Sequence, residues 1–267
     1  MTSEITSKEN ANIKYAKKLL SSAKFRKEEN AFLIEGVKLC GDAFQNRVSI
    51  QKVFYTKKCF EKFENVVSSI IKSSESSFMV SQSIIETISD TNTPQGIVCI
   101  CKCESKKSDE TECEKIILLE NIQNPSNLGS ILRTCDALGI SMVAVSQNSC
   151  DVYNPKTLRG SMGAVFRLNI ILFEDSVKFI KNLQKNNFKI YATVLDDNVS
   201  LTGNIKFVGK IGIVFGNEGS GLAEEIIEAC DEKMTIPMSN SAESLNVSVA
   251  AGIVIWEITN RGKNING

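Results

Sequence analysis

Small and polar residues gather in three short segments near the carboxyl end of the chain: Gly216-Asn-Glu-Gly-Ser-Gly221, Ile236-Pro-Met238 and Ser244-Leu-Asn246. Glycines let the backbone of the first segment bend sharply or approach a ligand closely. A phosphate-binding loop would need Lys-Ser or Lys-Thr after its last glycine, whereas Leu-Ala-Glu-Glu follows here. Because carboxylates at that point would repel a polyphosphate, the segments predict a small polar site of another kind.

A second group of candidate residues lies upstream, where Asn124-Pro125 ends a turn and Ser126 or Asn127 is predicted to cap a helix that runs to Leu138. Gly129 and Arg133 are four residues apart and therefore share one helix face. Helical side chains lean towards the helix start, so Arg133 should extend over Gly129 towards Asn127. A helix start with a guanidinium suits a phosphate group or another anion. An ordinary salt bridge of Arg133 is the alternative.

The residue types that are missing narrow the chemistry further. The chain has no histidine, which excludes Ser-His and Cys-His nucleophile pairs, histidine general bases and histidine metal ligands. Its nine cysteines are scattered, and Cys99-Ile-Cys-Lys-Cys103 lacks the CxxC spacing usual for zinc. We therefore expect reduced, mostly buried thiols, no metal, and chemistry that depends on Asn, Ser, Arg, Glu or Lys with a reactive cofactor.

The apolar runs of the second half predict the scaffold that positions these residues. Continuous runs such as Ile116-Ile-Leu-Leu119 are typical of strands covered on both faces, which occur in parallel sheets. Helical segments fall between most of the runs, so the predicted fold class is α/β. The strand candidates are Lys115–Leu119, Met142–Ser146, Phe166–Leu172, Lys189–Leu195, Ile211–Phe215 and Lys233–Ile236.

Two of the candidate segments are predicted to border helices. The glycine segment follows the strand Ile211–Phe215 and precedes a helix over Leu222–Cys230. Ser244 is predicted to cap a helix from Leu245 to Glu257. Since that helix is apolar nearly all round, we expect it to be buried.

The first part of the chain alternates strands and helices of its own, which predicts a small α/β domain over residues 1–103. Residues 104–113 are acidic and lack apolar periodicity, as is typical of a linker, and the second domain would be 114–267. The candidate strands of the first domain are Ala31–Ile34, Ile50–Tyr55, Phe78–Val80 and Gly96–Cys103, and its candidate helices are Asn12–Ala23, Gly36–Phe44, Cys59–Ile71 and Gln82–Ile88.

Composition places the chain among ordinary globular proteins, with 42% hydrophobic residues, 23% charged residues and no net charge. No apolar run approaches the ~20 residues of a membrane span. The start of the chain lacks the apolar core of a signal peptide. These features favour a cytoplasmic protein without a membrane partner. Residues 1–30 contain seven Lys or Arg, including Arg26 and Lys27, and four acidic residues. This basic segment fits either a solvated helix face or an RNA contact.

The order of the segments resembles the SpoU (TrmH-like) branch of the SPOUT superfamily, whose members are RNA ribose 2′-O-methyltransferases that use S-adenosylmethionine. The resemblance covers about Glu114 to Arg261. Phe32-Leu-Ile-Glu-Gly-Val-Lys38 and its surroundings are similar to the substrate-binding domain, of ribosomal-protein-like fold, of several ribosomal-RNA ribose methyltransferases. The matching motifs are the glycine segment, Ile236-Pro-Met238, Ser244-Leu-Asn-Val-Ser-Val249 and Asn121-Ile-Gln-Asn-Pro-Ser-Asn-Leu-Gly-Ser-Ile-Leu-Arg-Thr-Cys-Asp-Ala-Leu-Gly139.

The resemblance implies roles for individual residues. A guanidinium stays protonated, so Arg133 is expected to bind a phosphate and stabilise a forming alkoxide rather than accept a proton. Lys156 and Arg159, with Arg26 and Lys27 in the basic start, are candidate substrate contacts. The implied catalytic residues are Asn127, Arg133, Glu218, Ser244 and Asn246, and the implied backbone contacts to S-adenosylmethionine are at Gly216, Ile236 and Leu245.

The resemblance also implies a mostly parallel sheet that ends in a trefoil knot, and a homodimer with helix 245–257 near the subunit contact. The predicted function is S-adenosylmethionine-dependent 2′-O-methylation of a ribose in structured RNA. The two-domain layout favours ribosomal RNA, and transfer RNA is the nearest alternative. A catalytically silent RNA-binding or ribosome-assembly protein is the alternative from another class, while the missing lysine disfavours a nucleotide hydrolase.

Overall fold

The computed structural model describes residues 2–103, 113–196, 199–201, 203, 205–239 and 244–260, so the predicted linker lies outside the described residues except for Cys113. The strands are β1 Thr2–Ile5, β2 Ala31–Glu35, β3 Ile50–Tyr55, β4 Ser76–Val80, β5 Ile97–Lys102, β6 Lys115–Leu119, β7 Met142–Ser146, β8 Asn169–Phe173, β9 Phe188–Thr193, β10 Ser200–Leu201, β11 Lys210–Phe215 and β12 Glu232–Thr235. The helices are α1 Ala11–Ser21, α2 Ala23–Glu29, α3 Val37–Gln45, α4 Lys57–Lys62, α5 Glu64–Ser73, α6 Gln82–Ile85, α7 Pro125–Ala137, α8 Pro155–Ser161, α9 Ala164–Arg167, α10 Ser176–Lys185, α11 Glu224–Ala229 and α12 Val247–Asn260, with a 3-10 turn at Glu86–Ile88.

The chain forms two compact units, the first made of the residues up to 103 together with 153–166, the second of the rest. The sequence division placed 153–166 with the second half. In the structure Tyr153 stacks on Phe32 with 4.4 Å between ring centroids. Arg159 forms ion pairs within the first unit as well. These contacts explain why the segment groups with the first unit.

The first unit contains a five-stranded sheet in the order β1-β4-β3-β5-β2. β4 runs parallel to β1 and β3, whereas β5 runs antiparallel to β2 and β3. Helix α1 turns Ile13, Ala16 and Leu19 inward onto this core, as its 3.6-residue periodicity predicts.

The second unit contains a seven-stranded sheet in the order β10-β12-β9-β11-β6-β7-β8, and every pair of neighbouring strands is parallel. All five residues of β7 are buried, as expected for a strand covered on both faces. The prediction of an α/β fold with a parallel sheet is therefore confirmed, and the predicted bounds of β6 and β7 are those observed.

The strand order brings together the loops that carry the candidate site. β11 lies between β9 and β6, with Phe215 in register with Leu119 at the carboxyl ends. The Phe215 carbonyl oxygen accepts a hydrogen bond from Glu120 N at 2.8 Å. Because parallel strands end at the same edge, the loops after β6 and β11 are neighbours, which is where open α/β sheets bind ligands.

Two helix caps differ from the predictions. Asn124, and not Ser126 or Asn127, caps α7, and its Oδ1 accepts a hydrogen bond from Ser126 N at 2.9 Å. Helix α12 starts two residues later than predicted, and Asn246 replaces Ser244 as the residue whose side chain accepts from the first turn, at Ser248 N. An Asn side chain at these positions reaches a free backbone N–H, which is why it can define the helix start.

Other differences concern element bounds and burial. The predicted strand Phe166–Leu172 begins at Asn169, because residues 164–167 form α9, and the predicted helix Cys59–Ile71 is broken into α4 and α5. Helix α12 is buried on one side only, whereas the sequence predicted burial all round.

The nine cysteines all lie within the described residues, and six of them are buried. Burial raises the pKa of the Cys59 thiol to about 11 and that of Cys101 well above its ordinary value. The expectation that most of the thiols are buried is confirmed, and their reduced state stays a prediction. No described helix is long and apolar enough to cross a bilayer.

Candidate active site

A cavity of about 410 Å³ opens at the carboxyl ends of β9, β11 and β12. The three segments singled out in the sequence all contribute to its wall. Gly216, Ile236 and Leu245, the predicted cofactor contacts, line the cavity, and so do Glu218 and Ser244. Segments separated in the sequence thus meet at one site.

Asn217 organises the glycine loop, a role that the sequence reasoning missed. Its backbone pairs with Gly221 in both directions at 3.0 Å. Its Oδ1 accepts hydrogen bonds from Gly219 N at 2.8 Å and Ser220 N at 3.1 Å, and its Nδ2 donates to the Asn121 carbonyl at 2.9 Å. One amide side chain therefore folds the loop and joins it to the segment after β6.

Gly216 has no room for a side chain. An added Cβ would lie 2.5 Å from the Gly221 carbonyl carbon and 2.7 Å from Leu222 N. Since Cβ atoms do not approach backbone that closely, any other residue would push apart the two ends of the loop. The first glycine of the segment is required by this close approach, while Gly221 has φ +68°, a conformation that glycine adopts without strain.

The Glu218 carboxylate gathers donors from the segment after β6. It accepts from Gln123 N and Asn124 N, each at 3.2 Å, and from Asn127 Nδ2 at 2.9 Å. Partial burial opposes ionisation of this carboxyl, but the hydrogen bonds from Asn127 and from nearby backbone N–H groups together hold its pKa below its usual value of 4.5. Glu218 is therefore an anion at neutral pH that ties two distant segments together.

A chain of hydrogen bonds continues from Glu218 through two amides. Asn127, which is only 8% exposed, receives a hydrogen bond on its Oδ1 from Asn246 Nδ2 at 3.1 Å. The Asn246 Oδ1 in turn accepts from Ser248 N at 2.9 Å and from Ser248 Oγ at 2.6 Å. Three of the implied catalytic residues are thus joined side chain to side chain.

Arg133 lies on α7 with an exposed side chain. Within the part of the chain that the structure describes, its guanidinium forms neither an ion pair nor a hydrogen bond. The described residues therefore do not form the ordinary salt bridge that was the alternative for Arg133. A cation without an internal partner is free to bind an external anion.

Ser244 is exposed and lines the cavity. It does not serve as the cap of α12, so its hydroxyl is not committed to the helix start. Its predicted role towards a ligand stays a prediction.

The two candidate substrate contacts in the basic start of the chain differ in exposure. Arg26 is only 4% exposed, and its Nη1 donates to the carbonyl oxygens of Leu19 at 2.6 Å and Leu20 at 3.2 Å, at the end of α1. The structure therefore corrects the prediction for Arg26, whose guanidinium satisfies helix carbonyls instead of facing a ligand. Lys27 is exposed on α2 and stays a prediction.

The other two candidate substrate contacts lie on α8. Lys156 is exposed at the start of this helix. Arg159 Nη2 lies 2.6 Å from Asp90 Oδ2, and its Nη1 lies 3.5 Å from Glu35 Oε1. A phosphate that bound Arg159 would compete with two carboxylates, whereas Lys156 has an exposed ammonium group.

The cavity fits the predicted cofactor, S-adenosylmethionine. Phe215, Val247 and Val254 give it apolar surface, and its loops present backbone polar groups. Glu218 is the acidic residue among its described lining residues, and no Lys or Arg is among them, so the wall suits a positively charged donor. In the described residues no group of three or more Cys, Asp or Glu is arranged to hold a metal ion.

Comparison with known proteins gives matches over both parts of the chain. The model of the SpoU rRNA Methylase family matches residues 114–256, and that of the MRM3-like substrate binding domain matches residues 10–99. The 23S rRNA (guanosine(2553)-2′-O)-methyltransferase RlmP of Bacillus subtilis is 29% identical over 255 residues, which are 96% of this chain and 98% of that relative.

Solved structures agree with these matches over nearly the whole chain. The AdoMet-bound rRNA methyltransferase from Sinorhizobium meliloti has a TM-score of 0.85 at 28% identity, covering 96% of this chain and 97% of that one. The SpoU methyltransferase AviRb from Streptomyces viridochromogenes, in complex with AdoMet, has a TM-score of 0.84 and covers 95% of this chain and 98% of its own. At 21% identity the second match shows likeness of fold alone.

Proposed function

The chain belongs to the SpoU rRNA methylase family, and we propose that it transfers a methyl group from S-adenosylmethionine to the 2′-hydroxyl of a ribose in ribosomal RNA. The relative from Bacillus subtilis, a 23S rRNA 2′-O-methyltransferase, aligns over 96% of the chain. The observation that carries the proposal is the hydrogen-bonded series Glu218, Asn127 and Asn246 beside a cavity lined by all three motif segments.

The cofactor supplies an electrophilic methyl group on a sulfonium centre. Gly216, Ile236 and Leu245 would hold it through their backbones, because all three line the cavity and each comes from a different motif segment. Glu218, which is ionised at neutral pH, would favour a cation in that cavity and also fix the loop against the segment after β6.

Arg133 would act on the RNA. Its guanidinium is exposed and presents a planar set of N–H donors. We assign it to a phosphate next to the reacting ribose and to the negative charge that develops on the 2′-oxygen. Asn127, Ser244 and Asn246 would orient the ribose hydroxyl towards the methyl donor.

The first unit would bind the RNA and give the preference for ribosomal RNA. Residues 10–99 match the MRM3-like substrate binding domain. Cations for the RNA phosphate backbone are available from its exposed lysines, including Lys27, and from Lys156 on α8. The RNA would be held chiefly through its phosphates and its shape, because aromatic residues make up only 7% of the chain.

A homodimer through α12 is part of the proposal. Val249, Ile253 and Trp256 are spaced at helical intervals and form an exposed apolar stripe, with Trp256 57% exposed. The opposite side of α12 packs against α7, which carries Asn127 and Arg133. A partner subunit bound to the stripe would therefore stabilise the packing of α12 against α7. The trefoil knot stays a prediction, and we expect the enzyme in the cytoplasm, with the ribosomes on which it acts.

The experiment is methyl transfer from radiolabelled S-adenosylmethionine to unmodified ribosomal RNA, with transfer RNA in parallel. The proposal expects label in ribosomal RNA and little in transfer RNA. More label in transfer RNA than in ribosomal RNA would identify transfer RNA as the substrate. If the protein binds the cofactor but labels neither RNA, a catalytically silent RNA-binding protein would be favoured.

A further inference from the structure

The hydrogen-bond chain at the active site has chemically fixed ends. At one end the Glu218 carboxylate, being ionised, can only accept hydrogen bonds. At the other end the backbone N–H of Ser248 can only donate, and it lies 2.9 Å from Asn246 Oδ1. Between these ends lie the amides of Asn127 and Asn246, each of which could in principle face either way.

The fixed ends decide the orientation of both amides. Asn127 must turn its Nδ2 towards Glu218, so its Oδ1 faces Asn246. Asn246 must then turn its Nδ2 towards Asn127 and its Oδ1 towards Ser248. Reversing either amide would place two donors or two acceptors face to face, which costs the unmade hydrogen bonds.

We propose that Ser248 is a positioning residue of the reaction, which holds Asn246 and, through it, Asn127 in the one orientation that serves methyl transfer. Its hydroxyl adds a second hydrogen bond, 2.6 Å long, on the same Asn246 oxygen that its backbone N–H binds. Ser248 is not among the residues that line the cavity, so it acts through Asn246 and not on the cofactor. The inference rests on the proposed function.

The orientation matters because of the atoms that it leaves available. Among the described residues each amide nitrogen uses one of its two N–H groups, which leaves Asn127 and Asn246 one N–H each for a ligand. An N–H can stabilise negative charge on a ribose oxygen, whereas a reversed amide would present an oxygen there. Loosening Asn246 should therefore slow the chemical step and leave cofactor binding nearly unchanged.

The test compares Ser248→Ala, Ser248→Thr and the control Thr259→Val in the full-length protein. Thr259 lies at the other end of α12, where its hydroxyl bonds to the Ile255 carbonyl of the same helix. We expect Ser248→Ala to lower the single-turnover methylation rate roughly tenfold, the effect of one lost hydrogen bond at the upper end of its usual range. Ser248→Thr keeps the hydroxyl and should restore the rate to within about twofold.

The affinity for S-adenosylmethionine, measured by calorimetry, separates positioning from general damage. The proposal expects the same Kd for all variants and a wild-type rate in Thr259→Val. An unchanged rate in Ser248→Ala would overturn the positioning role while the proposed function stands. The positioning role would also be overturned if Ser248→Ala lost rate and cofactor affinity together, or if Ser248→Thr did not recover the rate. Each of these results would show that the substitution deforms the loop. A wild-type protein that methylates no RNA would overturn both.

Discussion

Replacing Arg133 with alanine should separate catalysis from stability. The guanidinium is exposed and has no ion pair or hydrogen bond within the described chain. Nothing internal is lost when it is removed, so the free energy of unfolding should change by no more than about 0.5 kcal/mol. Arg133 is also absent from the described cavity lining, so cofactor affinity should not change.

The catalytic effect should be much larger. Removing one donor to a developing oxyanion typically costs about 2.7–4 kcal/mol, which corresponds to roughly 100- to 1,000-fold in kcat. Arg133→Lys keeps the charge but loses the planar pair of donors, so we expect it to recover only part of that loss. Arg133→Ala should thus be a stable protein that binds S-adenosylmethionine and methylates very slowly.

The assay is single-turnover methyl transfer with saturating cofactor and RNA, alongside thermal unfolding and calorimetry. Arg167→Ala is the matched control, because it removes an arginine of the same unit that is paired with Asp136 at 2.8 Å. That control should lose some stability and little activity. Near-normal methylation by Arg133→Ala, or a loss explained by unfolding, would refute the assignment.

Three further outcomes follow from the same geometry. Glu218→Gln replaces an acceptor oxygen with an amide group, so at least one of its hydrogen bonds is lost, and we expect about 1 kcal/mol lower stability in chemical denaturation. Since the folded pKa of Glu218 is depressed below 4.5, its stabilising contribution is complete above that pH and is lost as pH falls through the folded pKa. The free energies of unfolding of wild type and Glu218→Gln should therefore converge as the solution is acidified through that range. Gly216→Ala forces a Cβ to within 2.5 Å of backbone and should weaken cofactor binding at least about tenfold in calorimetry; unchanged affinity would contradict the close-packed loop. Trp256→Glu places a charge in the apolar stripe and should give monomers in light scattering, whereas a dimer of unchanged affinity would place the interface elsewhere.

The sequence predicted the sheet well because buried parallel strands are continuous apolar runs. β6 and β7 were predicted to the residue, and β11 to within one residue, since each run is bounded by polar residues or, after Phe215, by a glycine. The order of the strands was beyond such reasoning: nothing local in Lys210–Phe215 says that it lies between β9 and β6. That order, set by long-range packing, is what brings Glu218 to Asn127.

Some roles of single side chains could be predicted from the sequence, and others depend on contacts that only the structure reveals. Gly216 and Asn246 were found because motif spacing marks them, and both lie at the site. Arg26 was misjudged because charge alone does not reveal that a guanidinium has folded back onto helix carbonyls. Ser248 was missed because its importance depends on a 2.6 Å contact with an atom two residues away, although an Asn-x-Ser pair at a helix start could have suggested a cap.

The most direct test of the account is the chemical identity of the product. Ribosomal RNA would be incubated with the protein and S-adenosylmethionine carrying a deuterated methyl group, digested to nucleosides and analysed by mass spectrometry. We predict the label on the ribose of a 2′-O-methylnucleoside, and far less of it after the same time with Arg133→Ala. Label on a base, or no label although calorimetry shows bound cofactor, would contradict it.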